Sequence, residues 1–176
     1  MKSFSIFVTL LLLLLLLIIA GATANLQELC KQATASSTIV TYDFCIKSLQ
    51  PIHGSNEVDA KGLAGITINL SIYNLVGIIN MLSDLQSKTT NQTVLDALNA
   101  CSDGINNGNT QLKMAQTLVS NGRIQDALTS VKVAEGSSDV CDNAFNQRGV
   151  QSPVHDAMHD PVLVCDLADL IIQLLA

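Results

Sequence analysis

The chain has no tryptophan and few aromatic, proline or charged residues. Its 176 residues include 2 Tyr, 4 Phe and 3 Pro, and charged residues make up 14%. Scarce aromatic rings argue against a site that stacks on carbohydrate. Because 15 acidic residues outnumber 9 basic ones, neither nucleic acid nor an anionic membrane surface is expected as a partner.

Sequence motifs that support catalysis are also missing. There is no Gly-rich phosphate loop, no GxSxG nucleophile motif and no paired Cys/His arrangement. The acidic residues are scattered along the chain, as on a solvated surface. We therefore predict that the protein is not an enzyme, with no catalytic residues and no cofactor.

The N-terminus predicts a cleaved signal peptide over residues 1–24. Residues 4–20 form an apolar run, and Ala22 and Ala24 match the small residues that precede a cleavage site. No endoplasmic-reticulum retention sequence follows Leu175. The mature domain, residues 25–176, is thus expected to be secreted to the cell wall, with the vacuole as the alternative. No other stretch is expected to be long and apolar enough to span a membrane.

The mature part lacks strand-like alternation, and its apolar residues recur at helical spacing. Residues 25–50 predict a short helical hairpin that closes before Pro51. Steps of four and three predict a helix over 58–85, through Ile68, Ile72, Leu75, Ile79 and Leu82. A second helix is expected to reach Ser120, with a possible kink where poor helix formers cluster at 104–109.

Two more helices follow in the apolar pattern. One runs from about Ala127 to Gln147, and the last begins near Ala157 or at Asp160-Pro161. The predicted fold is all-α: an up-down four-helix bundle over residues 58–176, preceded by the N-terminal hairpin over 25–50. We expect a monomer.

The five cysteines suggest two disulfides. Cys30 and Cys45 are equidistant from Ser37-Thr38, and Cys101 and Cys141 are equidistant from Asn121. Residues equidistant from the turn of an antiparallel helical hairpin face each other, and a secreted protein meets an oxidising compartment. Cys165 remains, and its apolar neighbours predict a buried free thiol.

Two further motifs concern metal binding and glycosylation. His155-Asp156-Ala157-Met158-His159 resembles the zinc-binding HExxH pattern, but flanking prolines and the lack of a third ligand favour a solvated loop at a helix start, so no metal site is predicted. Asn69 and Asn91 begin N-glycosylation sequons. Asn91 lies at a predicted turn and is the stronger candidate, whereas Asn69 lies within a helix.

Several segments resemble the plant invertase and pectin methylesterase inhibitor family. They are Leu29-Cys30-Lys31, the stretch from Tyr42 to Leu49, Cys101, the stretch from Cys141 to Phe145, and Ser152-Pro153-Val154. The resemblance implies a helical hairpin on a four-helix bundle, disulfides joining the first to the second and the third to the fourth cysteine, and an unpaired fifth cysteine. It also implies a protein that binds and blocks a cell-wall or vacuolar invertase, or a pectin methylesterase.

The sequence departs from the family at one position. Invertase-inhibiting members carry Pro-Lys-Phe at the start of the helix that leads to the fourth cysteine, and Ile124-Gln125-Asp126 stands there in this chain. The resemblance implies that invertase is met at this turn and pectin methylesterase along the long helices. The departure leaves an alternative open: a non-inhibitory secreted bundle, such as a pollen or stress protein, that binds a small apolar ligand.

Overall fold

The computed structural model describes residues 25–176, and the predicted signal peptide lies outside them. All regular elements in this range are helices. In chain order they are α1 (Leu26–Thr34), α2 (Tyr42–Leu49), α3 (Ala60–Lys88), α4 (Gln92–Ser120), α5 (Ile124–Glu135), α6 (Ser137–Asn146) and α7 (His155–Gln173).

The first four helices begin at polar residues that cap them. The side chains of Asn25, Thr41, Asp59 and Asn91 accept hydrogen bonds from backbone N–H groups in the first turns of α1, α2, α3 and α4. Such caps satisfy donors that have no partner within the helix. These four helix starts are therefore encoded locally, by the polar side chain at each N-cap position.

The long helices form an antiparallel ring. α3 packs against α4 and α7, α4 packs against α5 and α6, and α5 packs against α7. The hairpin of α1 and α2 attaches to this ring through contacts between α1 and α7. The predicted fold class, a hairpin followed by a four-helix bundle with two disulfides, is confirmed.

The core follows the predicted apolar pattern. Ile68, Leu75 and Leu82, at seven-residue spacing on α3, are buried, and Ile72 and Ile79 between them are half-buried. Each neighbouring helix contributes a matching apolar face, through residues that include Ile105, Leu112, Val131, Phe145, Leu167 and Ile171. Burial of this shared face stabilises the bundle.

The cluster of poor helix formers does not break α4. The helix is continuous from Gln92 to Ser120, so its predicted end is right and residues 104–109 remain helical. Gly104 and Gly108 lie against α5 and α6: a Cβ at Gly104 would come within 2.6 Å of Val140 Cγ1, and one at Gly108 within 3.2 Å of Ser137 Cβ. The glycines therefore permit close helix packing.

Two helix boundaries differ from the sequence prediction. The helix predicted from about Ala127 to Gln147 divides at Gly136 into α5 and α6, where Ser137 Oγ donates a 2.6 Å hydrogen bond to the carbonyl of Ala134 and so competes with helical bonding. The last helix begins earlier than predicted, at His155, and includes Pro161.

One expectation about membranes needs correction. α3 is long and apolar enough to cross a membrane by length and composition alone, contrary to the expectation that residues 25–176 contain no such stretch. A core helix of a bundle meets the same criteria. The buried face of α3 packs against α4 and α7, which accounts for its apolar composition.

Candidate functional site

The turn between α4 and α5, residues 121–126, is held by backbone hydrogen bonds. The Arg123 N–H donates to the Leu118 carbonyl at 2.9 Å and the Gly122 N–H donates to the Val119 carbonyl at 3.1 Å. Gly122 has a φ of +73°, the left-handed conformation that glycine adopts readily after a helix. This pattern is a Schellman motif, and it fixes the direction in which α5 leaves.

Ile124, Gln125 and Asp126 form the first turn of α5. Ile124 is half-buried and packs against the core, whereas Gln125 and Asp126 are exposed. Arg123 precedes them, and its Nε donates to Asp126 Oδ2 at 2.7 Å. The turn therefore presents one ion pair and an amide to solvent, with the isoleucine beneath them.

Lys61 at the start of α3 adds a basic group beside this turn. Its Nζ donates a 3.0 Å hydrogen bond to the carbonyl of Ser120, the last residue of α4. This contact brings the beginning of α3 to the same end of the bundle as the α4–α5 turn. A partner that docks there would meet Lys61, Arg123, Gln125 and Asp126, a polar surface of mixed charge.

The α5–α7 interface contains an ionic network that the sequence did not reveal. Lys132 Nζ lies 2.9 Å from both Glu135 Oε2 and Asp169 Oδ2, and Gln173 Nε2 donates to Asp169 Oδ2 at 2.7 Å. Asp169 is 4% exposed. The second carboxylate oxygens of Glu135 and Asp169 are buried without a partner in residues 25–176.

Burial shifts the protonation of this network. It raises the pKa of Glu135 to about 7, against the opposing hydrogen bond from Lys132. Burial also lowers the pKa of Lys132, but hydrogen bonds to Asp169 and Glu135 outweigh it and raise that pKa to about 12. Asp169 lies in an apolar pattern between Ala168 and Leu170, and this interruption was the only sequence signal of the network.

The cysteines pair as the spacing and the resemblance suggested. Cys30 bonds to Cys45 and joins α1 to α2, and Cys101 bonds to Cys141 and joins α4 to α6. Cys165 on α7 is a buried free thiol. Burial raises its pKa to about 12, partly offset by a hydrogen bond with Ser71, so the thiol lies in the packed core and away from solvent.

The two sequons lie in different settings. Asn91 is exposed at the turn before α4, and its Oδ1 accepts from the Val94 N–H at 3.3 Å. Asn69 is exposed on α3, and its Oδ1 accepts from Gln116 Nε2 at 2.8 Å. Ser71, the third residue of the Asn69 sequon, is buried.

The two histidines of the HExxH-like motif lie in a helix and not in the solvated loop that the flanking prolines suggested. His155 is the first residue of α7 and His159 is the fifth. His155 Nδ1 lies 3.0 Å from Asp142 Oδ2 on α6, and His159 Nδ1 lies 3.0 Å from Asp160 Oδ1. Within residues 25–176, no three His, Cys, Asp or Glu side chains come together as a group that could hold a metal ion.

Comparison with known proteins agrees with this architecture. The family model described as "Plant invertase/pectin methylesterase inhibitor" matches residues 24–175. The chain is 26% identical over 151 residues to a protein of Platanus orientalis named "Putative invertase inhibitor", covering 85% of this chain and 89% of that protein. A protein of Platanus acerifolia with the same name is 27% identical over 151 residues, with 85% and 84% covered.

The description of the family and the names of both relatives point to protein inhibitors rather than enzymes. The chain belongs to the plant invertase/pectin methylesterase inhibitor family, because the family model matches residues 24–175.

Proposed function

We propose that this protein is secreted and inhibits a plant acid invertase or a pectin methylesterase by docking on it. The observation that supports this most is the family match over residues 24–175. The names of the two Platanus relatives favour invertase as the target class. Entry into the secretory pathway follows from the predicted signal peptide over residues 1–24.

Inhibition requires no chemistry from the inhibitor, only a surface that covers the enzyme's cleft. The α4–α5 turn suits this role because its backbone is set by the Schellman hydrogen bonds from Gly122 and Arg123. The Cys101–Cys141 disulfide joins α4 to α6, the helix that follows α5. A surface ordered before binding loses less conformational entropy when the complex forms.

The departure at Ile124-Gln125-Asp126 changes side chains without requiring a different backbone. Ile124 occupies the first helical position of α5, a position at which proline is well accepted because its N–H is not needed within the helix. Gln125 and Asp126 stand where invertase-inhibiting members carry a basic and an aromatic side chain, and Asp126 instead pairs with the exposed Arg123. This difference favours a weakened invertase contact, and it leaves the long-helix face available for pectin methylesterase.

The proposal is tested by titrating the purified, disulfide-bonded protein against a plant acid invertase and a plant pectin methylesterase in parallel. We expect the activity of at least one enzyme to fall in proportion to added protein up to a one-to-one ratio. If neither enzyme is inhibited at micromolar concentration and lipid co-purifies with the protein, the non-inhibitory, ligand-binding alternative is supported and the proposal is wrong.

A triple variant, I124P/Q125K/D126F, tests the role of the α4–α5 turn. It restores the family's Pro-Lys-Phe on the existing backbone, and we expect invertase inhibition to strengthen by at least tenfold, about 1.4 kcal/mol, with pectin methylesterase inhibition unchanged. The matched control Q125A/D126A removes the same exposed side chains without supplying the new ones. Equal invertase inhibition by the wild type, the control and the triple variant would show that this turn does not contact invertase.

A further inference from the structure

His155 and His159 are placed on one face of α7. They are four positions apart in the helix, so they lie about one helical turn apart with neighbouring side chains. Their side chains are 66% and 72% exposed. Both border the same groove between α6 and α7, whose floor includes Met158, Val162 and Leu163. The two imidazoles are therefore exposed beside each other over one surface depression.

Each ring is oriented by a carboxylate at the same nitrogen. His155 Nδ1 lies 3.1 and 3.0 Å from the two carboxylate oxygens of Asp142, and His159 Nδ1 lies 3.0 Å from Asp160 Oδ1. In the neutral imidazole, an Nδ1–H that donates to a carboxylate leaves Nε2 unprotonated, with a free lone pair. Metal-binding histidines are commonly held in this way, with one nitrogen on a carboxylate and the other on the metal.

The charge around the pair suits a cation. The N-terminal end of a helix disfavours positive charge, but Asp142 contacts His155 there, Asp156 and Asp160 lie in the first two turns of α7, and Asp166 follows later in the helix. Asp142 and Asp166 border the groove together with the two histidines. Their negative charge offsets the unfavourable helix end.

We propose that His155 and His159 form a two-imidazole binding site for a divalent transition-metal ion. Imidazole nitrogen selects copper, nickel and zinc over magnesium and calcium, and the general affinity order places Cu²⁺ first. Since the described residues bring no group of three ligands together, water completes the coordination and the metal binds reversibly at the surface. Asp142 positions His155 without touching the metal. This site goes beyond the proposed inhibition and does not depend on it.

Isothermal titration calorimetry of the purified, disulfide-bonded protein with Cu²⁺, Ni²⁺ and Zn²⁺, in a buffer that does not chelate metals, tests the site. We expect one equivalent of each ion to bind, Cu²⁺ most tightly. H155Q and H159Q should each weaken Cu²⁺ binding at least tenfold. H53Q is the matched control, because His53 lies on the exposed loop before α3, and it should bind like the wild type.

D142N separates a positioned site from two independent surface histidines. If Asp142 fixes the His155 ring, D142N should weaken Cu²⁺ binding by about 10- to 100-fold, the usual loss for such carboxylate partners. Circular dichroism checks that the variants keep their helices. Unchanged Cu²⁺ affinity in the H155Q/H159Q double variant would overturn the proposal, and unchanged affinity in D142N would overturn the positioning role.

Discussion

Two glycines show how the same residue type has opposite roles in two helices. Gly104 on α4 faces Val140 so closely that an added Cβ would lie 2.6 Å from Val140 Cγ1. Gly77 on α3 is exposed, and an added Cβ there would meet nothing within 4 Å. The first glycine permits helix contact, whereas the second only lowers helix propensity.

G104A and G77A therefore form a matched pair of substitutions. We expect G77A to raise the free energy of unfolding by about 0.5–1 kcal/mol, since alanine loses less backbone entropy in a helix. G104A should lower it by about 1–3 kcal/mol, the usual cost of forcing an extra carbon into a packed interface. Denaturant unfolding of both variants at one pH measures the difference, and equal stabilisation by the two would contradict the packing role of Gly104.

A charged side chain within an apolar helix face shows what helical spacing cannot predict about single residues. Leu63, Ile68 and Leu167 are buried, as helical spacing predicts. Asp169 is also buried, and its partner Lys132 lies 37 positions earlier in the chain. Periodicity reports only which face of a helix a residue occupies, so it cannot show which charged side chain from another helix will meet Asp169.

At the scale of elements, the Lys132–Glu135–Asp169 network makes the α5–α7 interface sensitive to pH. The pKa of Glu135 rises from 4.5 to about 7 on folding, so the folded protein holds this proton more tightly than the unfolded chain does. The resulting stabilisation is fully present below pH 4.5 and is lost as the pH rises through 7. The pKa values of His155 and Asp166 are also raised, so these groups likewise lose their contribution to stability as the pH rises.

We therefore expect the free energy of unfolding to fall between pH 5 and pH 8, with Glu135 contributing about 1–3 kcal/mol of the change. E135Q should flatten this dependence, because glutamine retains hydrogen-bonding groups and does not titrate. E57Q, at an exposed position before α3, is the control and should keep the wild-type slope. The same slope in E135Q and wild type would show that Glu135 does not titrate in this range.

Helix boundaries illustrate why elements are predicted better than their ends. The span of α4 follows from periodicity, and the prediction ends it correctly at Ser120, just before Asn121-Gly122. The division at Gly136 depends on a hydroxyl of Ser137 that bonds to the Ala134 carbonyl. α7 begins as early as His155, so Pro161 lies in its second turn and not at its start. Both boundaries depend on local contacts, which the spacing of apolar residues does not encode.

At the scale of the whole molecule, the two predicted glycosylation sites differ in position and accessibility. Asn91 lies at the α3–α4 turn, and the α4–α5 turn lies at the other end of α4, whose 29 residues extend about 44 Å. A glycan at Asn91 would therefore leave the α4–α5 turn clear. At the other sequon Asn69 is exposed, but Ser71 is buried and its hydroxyl donates to the Thr67 carbonyl at 3.0 Å, so folding conceals the hydroxyl residue of that sequon.

We expect higher glycan occupancy at Asn91 than at Asn69 when the protein passes through a plant secretory pathway. Intact mass before and after enzymatic deglycosylation measures total occupancy, and glycopeptide mapping assigns it. T93A removes the Asn91 sequon while Asn91 still caps α4, so it should lose one glycan and keep the wild-type inhibition. Greater occupancy at Asn69, or inhibition altered by T93A, would contradict this arrangement.

The scaffold follows from the sequence far more completely than the target does. Cysteine spacing and helical periodicity specify which helices face each other, because those signals depend on local geometry. The α4–α5 turn shows an exposed Gln125 and an Arg123–Asp126 pair, groups that many partner surfaces could match. Target choice depends on complementarity with a second protein, and one chain contains only half of that information.

The contacts of α7 also constrain the order of events during synthesis. Neither disulfide links the N-terminal hairpin to the bundle, since each joins helices within its own part. The hairpin is attached through α1 and α7, and the bundle closes through α3 and α7. Residues 26–49 can therefore dock on α7 only after residues 155–173 have been synthesised, whereas all four paired cysteines precede α7 in the chain.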